Sequence, residues 1–218
     1  MDTSTAFARI EQCGVVVVLR GSFPPESAPS VVETLIEAGL DVVEFTTNSA
    51  QALEAMQAVR AAFGADICAG MGTVLDADSA RRALDAGADF MVAPSFSPAV
   101  VAAAQAADRL IAPGVITPTE CVEAWALGVR LLKLFPIGSL GLDYFKTLRG
   151  PLNHMTFMCN GSVDDANAGD FIRAGAVACG TGWPVGDGTW PLARVAERAR
   201  RLRSVVDAAR GVPSGTFA

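Results

Sequence analysis

DVVEFTTNSAQALEAMQAVRAAFGADICAGMGTV, residues 41–74, reads as strand, helix, strand. Asp41–Thr46 is a short run of β-branched and aromatic residues. Ala50–Phe63 is Ala-rich, with apolar positions at helical spacing, and Ile67–Ala69 is apolar again. A strand that returns to the sheet through a helix must lie parallel to its neighbour. The same unit recurs in both directions. Strands are expected at Val15–Arg20, Asp41–Thr46, Ile67–Ala69, Asp89–Ala93, Leu110–Ala112, Leu131–Phe135, Met155–Cys159 and Val177–Gly180. The helices that follow them are expected at Pro25–Ala38, Ala50–Phe63, Asp76–Ala86, Pro98–Ala107, Pro118–Leu127, Leu140–Leu148, Asp164–Ala174 and Leu192–Ala209. Glycines 39, 87, 128 and 175 stand just past helices, where a left-handed cap is needed. Asp76, Pro118 and Asp164 stand at helix starts.

Eight β–α units predict a closed (β/α)8 TIM barrel in a single domain, residues 1–218. An open doubly wound sheet would carry a Gly-rich dinucleotide fingerprint, and Gly70-Met71-Gly72-Thr73 is not one. Thr3–Gln12, within the N-terminal segment 1–12, reads as a short helix capping the lower end of the barrel. The tail 211–218 reads as loose.

Composition narrows the function. Hydrophobic residues are 51% of 218, enough for a large core. The net charge of −6 argues against a nucleic-acid partner, which requires a basic surface. The cysteines, Cys13, Cys68, Cys121, Cys159 and Cys179, are odd in number and form no CxxC pair, and His154 is the only histidine. Neither a disulfide framework nor a metal site is expected, and reduced core thiols fit a cytoplasmic protein. No signal peptide is expected from the first residues, and no apolar run is long enough for a membrane span.

Barrel enzymes place their chemistry at the C-terminal ends of the strands, so polar residues that interrupt apolar strands there are the candidates. Lys133, in LLKLFP, is costly to bury as an ammonium ion. Desolvation favours the neutral amine that attacks a ketone. The alternative is an edge lysine that reaches solvent past its stem. Glu44 shares a strand face with Val42 and Thr46. It is either a proton shuttle for Lys133 or a structural carboxylate. Arg20, at the end of VVVVLR, is either a carboxylate ligand or a rim ion pair. Thr73, Pro94 and Pro113-Gly114 follow strands 3, 4 and 5. Gly70 and Gly114 read equally well as makers of tight turns. Asn160-Gly161-Ser162 and Gly180-Thr181-Gly182 follow strands 7 and 8, where barrels often bind phosphate through backbone N–H groups.

Five motifs then carry a resemblance from Gly14 to Trp183: V-E-F-T around Glu44, G-x-G-T-V-L at 70–75, A-P-S at 93–95, P-G-V-x-T-P-T-E at 113–120 and K-L-F-P at 133–136. The chain resembles the 2-keto-3-deoxy-6-phosphogluconate / 4-hydroxy-2-oxoglutarate aldolase family. The resemblance implies a class I aldolase with no cofactor and no metal, usually a homotrimer, acting on a small 2-oxo acid. It puts the Schiff-base lysine on Lys133 and the acid/base glutamate, working with a bound water, on Glu44. It puts the carboxylate-side threonine on Thr73 and the pyruvate-pocket walls on Pro94 and Phe135. Two departures stand out. Where the gluconate branch has Leu-Arg-Thr, this chain has Thr47-Asn48-Ser49; with Leu19-Arg20-Gly21 it leans toward the galactonate branch, making Arg20 the anion ligand. At the phosphate end, where the family often has Gly-Gly and Gly-Ser, this chain has Asn160-Gly161-Ser162 and Gly180-Thr181-Gly182-Trp183, in which Gly161 and Gly180 keep the flexible backbone. Asn160 and Trp183 add side chains there, so an unphosphorylated aldehyde moiety is a second reading. The rival classes are a non-catalytic barrel that binds a sugar-acid phosphate, and a phosphate-binding isomerase or synthase.

Overall fold

The computed structural model describes residues 1–22, 24–184 and 191–211, with the backbone alone for 183 and 184. The expected loose tail beyond Gly211 and the side chain of Trp183 fall outside the described residues. Helix α1 (Thr3–Cys13) opens the chain, its N-terminus capped by the Asp2 carboxylate on Thr5 N at 2.7 Å. It buries Ala6, Ile10 and Cys13 against the barrel. There follow β1 (Val15–Arg20), α2 (Ala28–Glu37), β2 (Val42–Thr46), α3 (Ala52–Phe63), β3 (Cys68–Gly72), α4 (Ala77–Asp85), β4 (Phe90–Val92) and α5 (Pro98–Ala106). The second half runs β5 (Leu110–Ala112), β6 (Gly114–Val115), α6 (Pro118–Ala126), β7 (Leu132–Leu134), α7 (Leu142–Arg149), β8 (Phe157–Asn160), α8 (Ala168–Arg173), β9 (Ala178–Pro184) and α9 (Leu192–Arg210).

All pairings are parallel, in the order β5-β4-β3-β2-β1-β9-β8-β7-β6. The two ends of that row, β5 and β6, are halves of one strand. Pro113 between them has no N–H to donate, so the ladder assignment breaks there. Ala112 O accepts from Ala93 N at 3.1 Å on one side, and Pro113 O accepts from Lys133 N at 2.9 Å on the other. The ring therefore closes as an eight-stranded TIM barrel, with the fifth strand longer than Leu110–Ala112 alone.

Other boundaries move for local reasons. Strand β3 runs through Gly72 instead of stopping at Ala69, so the Gly-Met-Gly segment belongs to the barrel wall. A Cβ at Gly70 would lie 2.7 Å from the Phe90 ring, and one at Gly72 would lie 2.3 Å from Glu44 Oε1. These glycines leave room for side chains on neighbouring strands. Gly114 does the same for the backbone of Pro94, which a Cβ would meet at 2.3 Å. The turn-making reading of Gly70 and Gly114 is thus replaced by close packing. Helix α8 begins at Ala168, not Asp164. Asn167 Oδ1 accepts from Asp164 N at 3.0 Å and Asp164 Oδ1 from Ala166 N at 2.9 Å, which satisfies a turn before the helix starts. Helix α2 likewise starts three residues late, after a turn in which Ser27 N donates to Pro24 O at 2.9 Å.

The P-T-E segment of the 113–120 motif has a structural explanation. Thr117 caps α6 and Glu120 reaches back to the N–H groups of Ile116 and Thr117, at 2.9 and 2.8 Å. All five cysteines are buried free thiols, and burial pushes Cys13 up to about 11. Among the described residues no helix is long and apolar enough to cross a membrane.

Candidate active site

In the closed ring, β2 and β7 are separated by three strands in either direction, so they face each other across the barrel. Strand register carries one face around the wall: Val18 pairs with Glu44 and Gly182, Gly180 with Asn160, Met158 with Lys133, and Lys133 with Gly114. Residues in register on parallel strands point the same way. Glu44 therefore points inward, its carboxyl over Gly72, and Lys133 points inward from the opposite wall. Lys133 is 5% exposed and Glu44 1%. The edge-lysine reading of Lys133 does not survive this burial.

Burial pushes the Lys133 amine below the ordinary 10.5. The Glu44 charge counters that shift and Arg20 adds to it. Burial likewise pushes the Glu44 carboxyl above 4.5, against the pull of Lys133 and Arg20. Burial thus favours the neutral forms, an amine with a free lone pair and a carboxylic acid with a proton to give, while the attraction between the two favours the ion pair. Lys133 Nζ lies 4.6 Å from the centre of the ring of Phe135, which stands in the turn directly after β7. Glu44 Oε2 is buried with no hydrogen-bond partner among the described residues.

Around this pair the structure gathers most of the other expected residues. Arg20, exposed at the end of β1, donates from Nη1 to Asn48 Oδ1 at 3.0 Å and from Nη2 to Thr73 Oγ1 at 3.3 Å. Thr73 sits at φ 60°, a left-handed conformation uncommon for a β-branched residue. Gly114 brings the Pro94 backbone against the fifth strand, beside Lys133 in register. Gly161, at φ 92°, lets the loop after β8 lie over Phe135, whose ring its Cβ would meet at 3.0 Å. Asn160 is buried and faces inward above Gly180, where a Cβ would lie 2.1 Å from its Nδ2. That Nδ2 has no partner among the described residues. Thr181 is one residue out of phase with Gly180, so its buried side chain faces the outer layer of helices, leaving only its backbone for a ligand.

Polar residues that did not stand out as contacts complete the rim. Thr47 Oγ1 donates to Thr73 O at 2.6 Å, Ser49 Oγ accepts from Gly21 N at 2.9 Å, and Ser49 Oγ and Thr46 Oγ1 are 2.7 Å apart. Nothing in the polar run Thr46–Ser49, at the end of a strand, separates such contacts from an ordinary turn.

The arrangement can present an uncharged amine to an electrophilic carbon, with a proton donor opposite and a guanidinium at the mouth. The sequence model of the KDPG and KHG aldolase family matches residues 8–196. The chain is 33% identical over 169 residues to a probable 2-dehydro-3-deoxy-6-phosphogalactonate aldolase of Rhizobium meliloti (strain 1021), covering 77% of this chain and 79% of that protein. It is 32% identical to a 2-dehydro-3-deoxy-phosphogluconate aldolase of Treponema pallidum (strain Nichols), covering 83% and 86%. Among solved structures, one described as native KDPGal superposes with a TM-score of 0.85 at 28% identity, covering 91% of this chain and 96% of that one.

Proposed function

The chain belongs to the KDPG and KHG aldolase family of Schiff-base pyruvate aldolases, and on that premise we propose that Lys133 forms the imine and Glu44 moves the protons. The observation that carries this reading is the buried amine of Lys133 set opposite the buried carboxyl of Glu44. The neutral Lys133 amine attacks C2 of a 2-keto-3-deoxy sugar acid. Glu44, through water, protonates the carbinolamine oxygen, and water leaves to give the protonated imine. Glu44 then takes the C4 hydroxyl proton by the same route. The C3–C4 bond breaks, releasing the aldehyde and sending its electron pair into the imine to make an enamine. Protonation of the enamine at C3 and hydrolysis give pyruvate and restore the lysine.

Arg20 and Thr73 hold the substrate carboxylate, while Pro94 and Phe135 wall the pyruvyl methyl side. Asn160 and the backbone of Gly161, Gly180 and Thr181 flank the aldehyde portion. The Arg20–Asn48–Thr73 hydrogen bonds support the galactonate-branch reading, with Arg20 as the anion ligand. The substrate is 6-phosphorylated in this reading, and the protein acts as a homotrimer in the cytoplasm.

The lysines of the chain are Lys133, buried, and Lys146, exposed, so the assignment has a clean test. Pyruvate with borohydride adds a reduced pyruvyl mass to the peptide that carries Lys133. An adduct on Lys146, or none at all, would refute the proposal. Glu44→Gln slows turnover by about 10²–10⁴ while still trapping imine, the range expected for loss of an acid/base group.

A further inference from the structure

Arg20 ends its strand in solvent, where an arginine side chain samples many rotamers and loses that freedom when held. Yet both terminal nitrogens of its guanidinium are engaged, by side chains from two different loops. Asn48 Oδ1 takes Nη1 at 3.0 Å, and Thr73 Oγ1 takes Nη2 at the longer distance of 3.3 Å. The loop that carries Asn48 is itself tied on both sides. Ser49 Oγ accepts from Gly21 N, the residue after Arg20, at 2.9 Å, and Thr47 Oγ1 donates to Thr73 O at 2.6 Å. The segment 46–49 therefore braces the arginine and the threonine together. Asn48 is the only member of that segment whose side chain touches the guanidinium among the described hydrogen bonds.

We propose that Asn48 is a positioning residue for recognition of the substrate carboxylate, acting through Arg20. Its side-chain oxygen fixes one edge of the guanidinium and Thr73 the other, so the arginine meets the anion already oriented. A neutral acceptor suits this task. It satisfies a guanidinium N–H and leaves the positive charge whole for the 2-oxo acid, where an aspartate would cancel it. The proposal rests on the reading of Arg20 as carboxylate ligand, and the experiment separates the failure of each.

The probe is pyruvate, whose methyl protons exchange with deuterium through the enamine and are read by proton NMR in D2O. Wild type, Asn48→Ala, Arg20→Ala and the double variant are compared for KM and kcat of exchange. Asn48→Ala is expected to raise KM about tenfold, in keeping with loss of a hydrogen bond to a charged group, with a much smaller change in kcat. In the Arg20→Ala background the same substitution changes KM by less than about twofold, because a residue acting through Arg20 has nothing left to position. Asn48→Asp keeps the acceptor and adds a charge. It also raises KM for pyruvate but leaves KM for uncharged pyruvamide near the wild-type value. An equal effect of Asn48→Ala in both backgrounds, or an unchanged KM in the single variant, overturns the proposal. If Arg20→Ala itself leaves KM for pyruvate unchanged, the carboxylate assignment of Arg20 falls, and this inference with it.

Discussion

Lys133 and Glu44 are each expensive where they stand, and the charges around them make the protonation equilibrium directional. Burial lowers the Lys133 amine, ionised Glu44 holds the proton on it, and Arg20 repels that proton. Amine attack needs the deprotonated form, so imine formation falls away on the acid side as Lys133 takes up its proton. Glu44→Gln removes the attraction and moves that acid limb to lower pH. Arg20→Ala removes the repulsion and moves it to higher pH. The rate of borohydride-trapped imine formation with pyruvate, measured across pH in both variants, reads the two shifts. Movement of both limbs in one direction would contradict the assignment of these charges. The two residues were legible in the sequence because a charged side chain inside LLKLFP or DVVEFT contrasts with its apolar neighbours. Asn48 stood out only through the family resemblance, and its contact with Arg20 was not legible: a polar residue in a polar turn offers no contrast, and the contact spans 28 residues. The side-chain direction of Thr181 was hidden for a related reason. Its small-residue loop context was visible, but the strand continues to Pro184, and one residue of phase turns its side chain to the outside.

Glycine does much of the work at the level of strands, and it is where reading elements from sequence was least complete. The alternation of apolar runs and Ala-rich helices suffices to count eight β–α units, because strand and helix periodicities differ so much. What it does not reveal is that Gly70, Gly72, Gly114 and Gly180 are wall positions left bare so that a ring, a carboxyl, a backbone and an amide can cross them. Gly114 is the sharpest case, since a Cβ there would meet Pro94 carbonyl atoms at 2.3 Å, and backbone cannot swing away as a side chain can. Gly114→Ala is expected to cost about 3 kcal/mol, the upper end for overpacking, and to slow imine trapping, because Gly114 is in register with Lys133. Gly182→Ala is the matched control: among the described residues no atom lies within 4 Å of its Cβ, so a change within about 0.5 kcal/mol is expected. Urea denaturation midpoints of the two variants check the contrast. Equal stabilities would mean that strands 4 and 5 yield more easily than a closed barrel should.

For the molecule as a whole, the buried pair is a standing loss of stability that the fold tolerates. A folded domain is stable by only about 5–15 kcal/mol, and replacing buried charges with apolar groups often gains about 1–4 kcal/mol. The lysine term can be isolated in a Glu44→Gln background, where no carboxylate partner complicates it. Because the folded protein holds Lys133 below 10.5, its stability contribution is fully present above 10.5 and is lost as pH falls through the depressed value. Lys133→Met in that background should therefore stabilise the protein at neutral pH. The gain should shrink toward zero as pH approaches 10.5 and level off once pH is below the folded value. For a chain of this length a gain of that size raises the melting temperature by several degrees, readable by thermal denaturation at a series of pH values. The outcome bears directly on why the residue is there. A lysine kept for packing would leave the protein weaker when removed at every pH. A lysine kept for its chemistry leaves it more stable and inactive, and the pH dependence of the gain traces the cost of holding an ammonium ion in the centre of the barrel.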